Sequence, residues 1–151
     1  MKGKFILLIA SAISLIFCFM ACAPEARSEE CLSYEPAKIT LNGVIESKIF
    51  PGPPEFESIE KGDRPEIHWI LKLSKPVCVS GDPKNEINTE TERDIKEIQL
   101  IIQEDDGRYM HLLSRRVVVT GTLFHAHTGH HRTVVLMEVI SMNLSKDGNK
   151  R

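Results

Sequence analysis

The sequence predicts a mainly β domain: a small OB-like closed β-barrel of about five strands with one short helix between the third and fourth strands. Three observations carry that expectation. Apolar and polar residues alternate over short stretches separated by Pro- and Gly-bearing turns, the period-2 pattern of strands with one buried face. One patch, Gly107 to Ser114, has helical spacing with Tyr109, Leu112 and Leu113 on its apolar side, and it follows three strand patterns and precedes two. Those last two, Val117 to Phe124 and Thr133 to Ile140, are dense in β-branched residues, which fit a pleated surface better than a helix. An SH3-like barrel or an open sheet capped by a helix would carry a similar string.

In chain order, residues 1–22 read as a signal peptide. Lys2 and Lys4 precede an apolar stretch from Phe5 to Phe17 that is too short for a membrane span. Two exits fit: cleavage after a small residue such as Ala23 or Ser28, or lipoprotein processing with acylation of Cys22 behind Phe19-Met20-Ala21. Phe19 departs from the leucine usual in such a site, and Pro24 disfavours ordinary cleavage after Ala23. Residues 23–30 are a short tether, 31–145 the barrel and 146–151 a disordered tail. Removing the leader leaves about 125 residues, enough for one core. The full chain has 19 basic against 21 acidic residues, and losing Lys2 and Lys4 makes the balance more acidic. That disfavours a general nucleic-acid binder, which needs a phosphate-neutralising basic surface.

The first strand runs from Lys38 to Phe50, with Asn42-Gly43 suggesting a bulge or a sharp bend. Pro51-Gly52-Pro53-Pro54 ends it and opens a loop to about Pro65. In the second strand Ile67, Trp69, Leu71 and Leu73 share one face and Glu66, His68 and Lys72 the other. Pro76 to Val79 extends it to a Gly81-Asp82-Pro83 turn, and a polar loop to Arg93 leads into a third strand over 95–102. Cys31 and Cys78 are an even pair in an oxidising compartment, hence a disulfide that ties the N-terminal segment to the sheet at a gain of about 3–4 kcal/mol.

The sharpest chemical signal is His125-Ala126-His127-Thr128-Gly129-His130-His131, between the last two strands. A two-residue Thr128-Gly129 turn sets His127 against His130 and His125 against Arg132, on the face of Val119, Leu123, Val134, Leu136 and Ile140, with His131 turned away beside Ala126. Three imidazoles on one rigid face suit zinc, copper or nickel. The fourth ligand is missing, however: Asp105, Asp106 or Glu138 would have to be brought near, and Arg132 opposes a cation. The alternatives are a structural role, hydrogen-bonding strand ends, and a pH response through crowded imidazoles.

Cys31-Leu-Ser-Tyr-Glu-Pro36, the Phe50 to Pro54 run, Trp69-Ile-Leu71, Gly81-Asp-Pro83, Glu86-Ile-Asn88 and above all Val119 through His131 resemble the family known as domain of unknown function 4431. The likeness implies a small secreted or lipid-anchored bacterial protein. It implies no activity and no functional residues.

No nucleophile elbow, phosphate loop or EF-hand spacing appears, and Asp63, Glu66, Asp105 and Asp106 read as turn and surface residues, so no enzyme is expected. The reading is a non-enzymatic binding or structural module of the bacterial envelope, with zinc or copper binding at the His hairpin as the alternative. The long loops Pro51 to Pro65 and Ser80 to Arg93 offer a surface for an envelope glycan, peptide or secreted protein, with Phe50, Phe56 and Tyr34 as aromatic contacts or as loop packing.

Overall fold

The computed structural model describes residues 30–103 and 107–146. The expected leader with Cys22, the tether up to residue 29, Asp105 and Asp106, and the tail from 147 lie outside them. Six strands form one mixed sheet: β1 Leu32–Ser33, β2 Lys38–Pro51, β3 Pro65–Ser80, β4 Glu92–Ile101, β5 Arg116–His125 and β6 Val135–Leu144. Antiparallel pairs join β2 to β3 and β5, β3 to β4, and β5 to β6, while β4 runs parallel to β6. The pairings therefore pass around a ring. β1, absent from the sequence expectation, adds two parallel residues at Val79 and Ser80 of β3, beside the Cys31–Cys78 disulfide.

Alternation decides the core. Ile45, Leu71, Ile98, Val119, Leu123 and Met137 point to the inside of the ring with no exposure, joined by Trp69 from β3. Burying such side chains is worth about 1.5–3 kcal/mol each. Gly43 does not form the expected bulge, since pairing with β3 and β5 runs through it without a shift. A Cβ there would collide with the Lys72 carbonyl, so the glycine permits close approach of two strands. The pairing irregularities fall instead in β3, between Lys72 and Val77, where Pro76 cannot donate to a ladder, and between Val77 and Val79, and in β5 between Thr120 and Gly121.

The expected helix is corrected. Gly107 to Ser114 yields only a single 3-10 turn, Met110–Leu112, between β4 and β5, and no helix lies between β3 and β4. Leu112 plugs the core at 1% exposure, and the chain is then drawn at once into the sheet: Ser114 N–H donates to the Ile45 carbonyl and Ile45 N–H to the Arg115 carbonyl. Too few residues remain for a longer helix.

One feature of the outer face positions the candidate site. Ile70, Gln99 and Leu136 are register partners across β3, β4 and β6, and each is closed to solvent although none belongs to the internal core. Something must cover them from outside.

Candidate functional site

The cover is the histidine segment. β5 ends at His125, which pairs with Val135, so residues 126–134 form a nine-residue loop and not a two-residue turn. This offsets the hairpin register by three from the expected one. A shift by an odd number moves the first half of β6, up to Val139, to the opposite face: Val135 and Met137 are fully buried, while Val134 and Ile140, expected inside, are 48% and 52% exposed. Leu136 lies on the outer face beside Gln99.

Gln99 ties the loop down. Its side-chain amide donates to the His130 carbonyl (3.1 Å), its Oε1 accepts from Arg132 N–H (2.6 Å), and its own N–H donates to the Thr133 hydroxyl (2.8 Å). Thr133 in turn donates to the Val135 carbonyl. The Arg132 guanidinium then reaches the hairpin between β2 and β3, where it donates to the Pro51 carbonyl (2.6 Å) and to Glu66 (3.1 Å). It lies over the rings of Phe50 and Phe56 at 5.5 and 5.4 Å. Arg132 Nε is buried without a partner, an unmet donor that the stacking and the two other bonds offset.

Glu66 is the centre of the charge cluster. It accepts from His68 Nε2 (3.2 Å), from His130 Nδ1 (3.0 Å) and from Arg132. Burial works to raise its carboxyl, but the hydrogen bonds from His130, His68 and Arg132 outweigh it and hold the group below the usual glutamate value. His68, placed by the sequence pattern with Glu66 and Lys72 on the face opposite the apolar one, bridges Glu66 to Gln99 through its two ring nitrogens. Phe56 sits edge-on to His130 at 4.9 Å, and a Cβ on Gly129 would press on the Phe56 ring at 3.2 Å, so the loops meet closely.

The histidines expected to share one face are dispersed. His125 Nε2 faces Glu92 at 3.0 Å and its N–H donates to Asn88, a residue 1% exposed that anchors the 81–91 loop. His127 and His131 stack edge to face at 4.6 Å with Phe124 beside both. His131 is thus not turned away. Its Nδ1 accepts the N–H groups of His127 (2.9 Å) and Thr128 (3.3 Å), and burial, then repulsion from His127, His130 and His68, lowers its pKa. Among the described residues no group of three His, Cys, Asp or Glu side chains is placed to hold a metal ion.

Ring hydrogen bonding sorts the imidazoles further. His127 Nδ1 is spent on the His125 carbonyl and His130 Nδ1 on Glu66, which leaves Nε2 of each uncommitted among the described residues. His68 has neither nitrogen uncommitted.

Phe50 and Phe56 are half-buried against Arg132, so they join the two loops and do not stand free. The 52–64 loop has its own internal frame: Asp63, read from sequence as a turn residue, is 6% exposed and accepts the N–H groups of Glu55, Glu57 and Ser58 at 2.7–2.9 Å. The Ser58 and Glu55 bonds outweigh burial and keep its carboxyl low. Among the described residues no hydrogen bond joins the 81–91 loop to the 52–64 loop; it meets the start of the histidine loop through Asn88. Tyr34 is 6% exposed, its hydroxyl lacks a partner, and burial followed by the charges of Glu92 and Glu90 pushes it up to about 12. Glu66, Gln99, Asn88 and Arg132 organise the site, and sequence reasoning gave none of them a binding role. Gln99, an amide inside the apolar run from Ile98 to Ile102, was the available signal.

Fold and site together define a disulfide-bearing, mainly β module with two loops joined on its outer face. Residues 97–143, from within β4 to within β6, match the family model described as domain of unknown function (DUF4431), so the family resemblance is shown over that stretch. No curated protein matches the chain. No helix among the described residues is long and apolar enough to cross a membrane.

Proposed function

We propose that this is an exported bacterial envelope protein, periplasmic or anchored through a lipid on Cys22, that works as a non-enzymatic binding or structural module. The disulfide is compatible with export. The ring of strand pairings supports a closed barrel of OB type, with β2 to β6 in the roles of its five strands. OB barrels commonly bind ligands with the loop after their first strand, the loop before their last, and the strand face between. In this chain those are loops 52–64 and 126–134.

The observation that carries the reading is Arg132, which pins the second loop to the first through Pro51, Glu66, Phe50 and Phe56. Two loops held in fixed relation form a preorganised surface, which lowers the ordering cost of binding. The net charge of −2 favours an envelope glycan, a peptide or another secreted protein over nucleic acid. The test is capture of cell-wall fragments and envelope proteins by wild type, by Phe56→Ala, and by Thr128→Arg, which alters the exposed loop tip. Selective loss in both variants with an unchanged melting temperature supports the module. A ligand retained equally by all three places binding elsewhere.

A second reading, zinc or copper binding, rests on the uncommitted Nε2 atoms of His127 and His130, each oriented by a bond at Nδ1 as metal-binding imidazoles are. Two such donors predict weak binding completed by water or a second molecule. Calorimetric titration of zinc and copper into the disulfide-bonded protein decides: a saturable event lost in His127→Ala and His130→Ala supports it, and an event indifferent to them rejects it.

A further inference from the structure

Beyond Ile45, β2 has a partner on one side only. Pairing with β5 ends at Val44 and Arg116, and the last bonds on that flank are those of Ile45 with Arg115 and Ser114. In an antiparallel ladder, alternate residues turn their N–H and C=O to the same flank. Ser47 and Ile49 therefore follow Ile45 and point away from β3, with no partner among the described residues. The bond from Gly52 N–H towards the Arg64 carbonyl agrees with that alternation.

The same stretch carries the barest apolar pair of the ribbon. Ile49 and Ile67 are register partners, 64% and 66% exposed, on the side that continues the core face of Ile45 and Leu71. The opposite side carries Phe50, Glu66 and His68 under the two loops. A ribbon that covers its charges and bares its isoleucines, along an open strand edge, is built to receive something on the bare side.

We propose that a second copy of this chain fills that place, by antiparallel pairing of the two β2 edges about a two-fold axis at Ile49. The surface is separate from the joined loops and does not rest on the function proposed for them. Register selects the axis. Centred on Ser47, the pairing would set Ile49 against Ile45, whose backbone groups are already used. Centred on Lys48, it opposes two lysines directly, which destabilises. Centred on Phe50, it sets Ile49 against Pro51, which has no N–H to give.

Centred on Ile49, the two copies exchange reciprocal hydrogen bonds at that residue, and Ser47 N–H of each reaches the Pro51 carbonyl of the other. That carbonyl already accepts from Arg132 and has a second lone pair. Ile49 and Ile67 of both copies then form one apolar cluster. On the other side Lys48 falls opposite Phe50, so no like charges meet. The contact is isologous, as two-fold interfaces must be. It is small beside the roughly 1,200–2,000 Å² of a stable interface, so the dimer dissociates on dilution.

Sedimentation velocity over a wide concentration range, with the disulfide intact, tests this. Wild type is expected to show a monomer–dimer equilibrium. Ile49→Lys and Ile67→Lys, both at exposed positions, weaken it by at least about tenfold, or roughly 1.4 kcal/mol, with melting unchanged. Ser47→Pro, which removes an N–H that no group in the same chain uses, does the same. A wild type that stays monomeric at every concentration, or a dimer indifferent to all three substitutions, overturns the proposal.

Discussion

The ribbon formed by the end of β2 and the start of β3 has two faces that differ in an unexpected direction. On one, Phe50, Glu66 and His68 lie under the loops, and Glu66 gathers two histidines and an arginine. On the other, Ile49 and Ile67 are about two-thirds exposed. Residues that prefer water are covered and residues that avoid it are bare. The covered face is nonetheless stable because each charge meets an opposite charge or a hydrogen bond, and because Arg132 adds the area of Phe50 and Phe56 to its ion pair. Polar burial of this kind fixes one arrangement of two loops, whereas apolar burial alone would tolerate several.

If the loops truly seal the outer face, the largest effect belongs to Ile70, which is fully buried yet outside the internal core. Ile70→Ala is expected to cost about 2–4 kcal/mol, the value for a core position, read by urea denaturation. A loss under about 1 kcal/mol would mean that the loops fit loosely and that the two faces are alike. Arg132→Ala comes next. It leaves Glu66 short of its cation, but Glu66 retains some solvent and His130, so about 2 kcal/mol is expected, below the 3–5 of a fully buried pair. Arg132→Lys keeps the charge but loses the planar stacking, and it should recover only part of the difference.

The sequence made one side of this comparison legible and hid the other. Period-2 alternation through Trp69, Leu71 and Val119, Leu123 correctly assigned the inner face of β3 and β5, and cysteine parity, read with export as an expectation, correctly gave the Cys31–Cys78 bridge. The first is a local pattern, and the second is a count of cysteines that needs no distance. Reading the 126–134 loop required knowing that Arg132 meets Pro51 and Glu66, 81 and 66 residues away, and that Gln99 sits 33 residues back to cap it. No local pattern carries those distances. The Thr128-Gly129 dipeptide imitated a tight turn, and since strand parity propagates, one wrong loop length reversed β6 as far as Val139, beyond which the register shift between Thr120 and Gly121 restores the parity and puts Met142 inside. The expected short helix failed for a related reason, since the backbone bonds of Ser114 and Arg115 to Ile45 are set by a strand some 70 residues earlier.

Acid should loosen the covered face first. The histidine ring that matters is His131, whose pKa lies below the usual value in the folded protein. The unfolded chain therefore binds the proton more readily, and this contribution to stability is present above about pH 6.5 and is lost as pH falls from there to the lowered value. Protonated Nδ1 can no longer accept from His127 and Thr128, so exchange of those two amides should quicken as pH falls through the lowered value while β3 amides stay protected. Glu66 and Asp63, both held low, act later: their contributions are present above about pH 4.5 and are lost as pH falls through their depressed values. Equal exchange in loop and sheet across this range would show that the loop is not held separately by His131.

The smallest effect is the most discriminating one. Ile67→Ser removes an apolar side chain from the bare face and places no charge there, so at dilution, where the chain is a monomer, stability should move by less than about 0.5 kcal/mol. The same substitution at a covered position such as Ile70 would cost several times more, although the two residues lie only three apart on one strand. If Ile67→Ser instead loses more than about 1.5 kcal/mol in dilute solution, the inner side of the ribbon is packed within the single chain. Residue 67 would then belong to the fold, and the open edge of β2 would have no vacant face beside it for a second copy to fill.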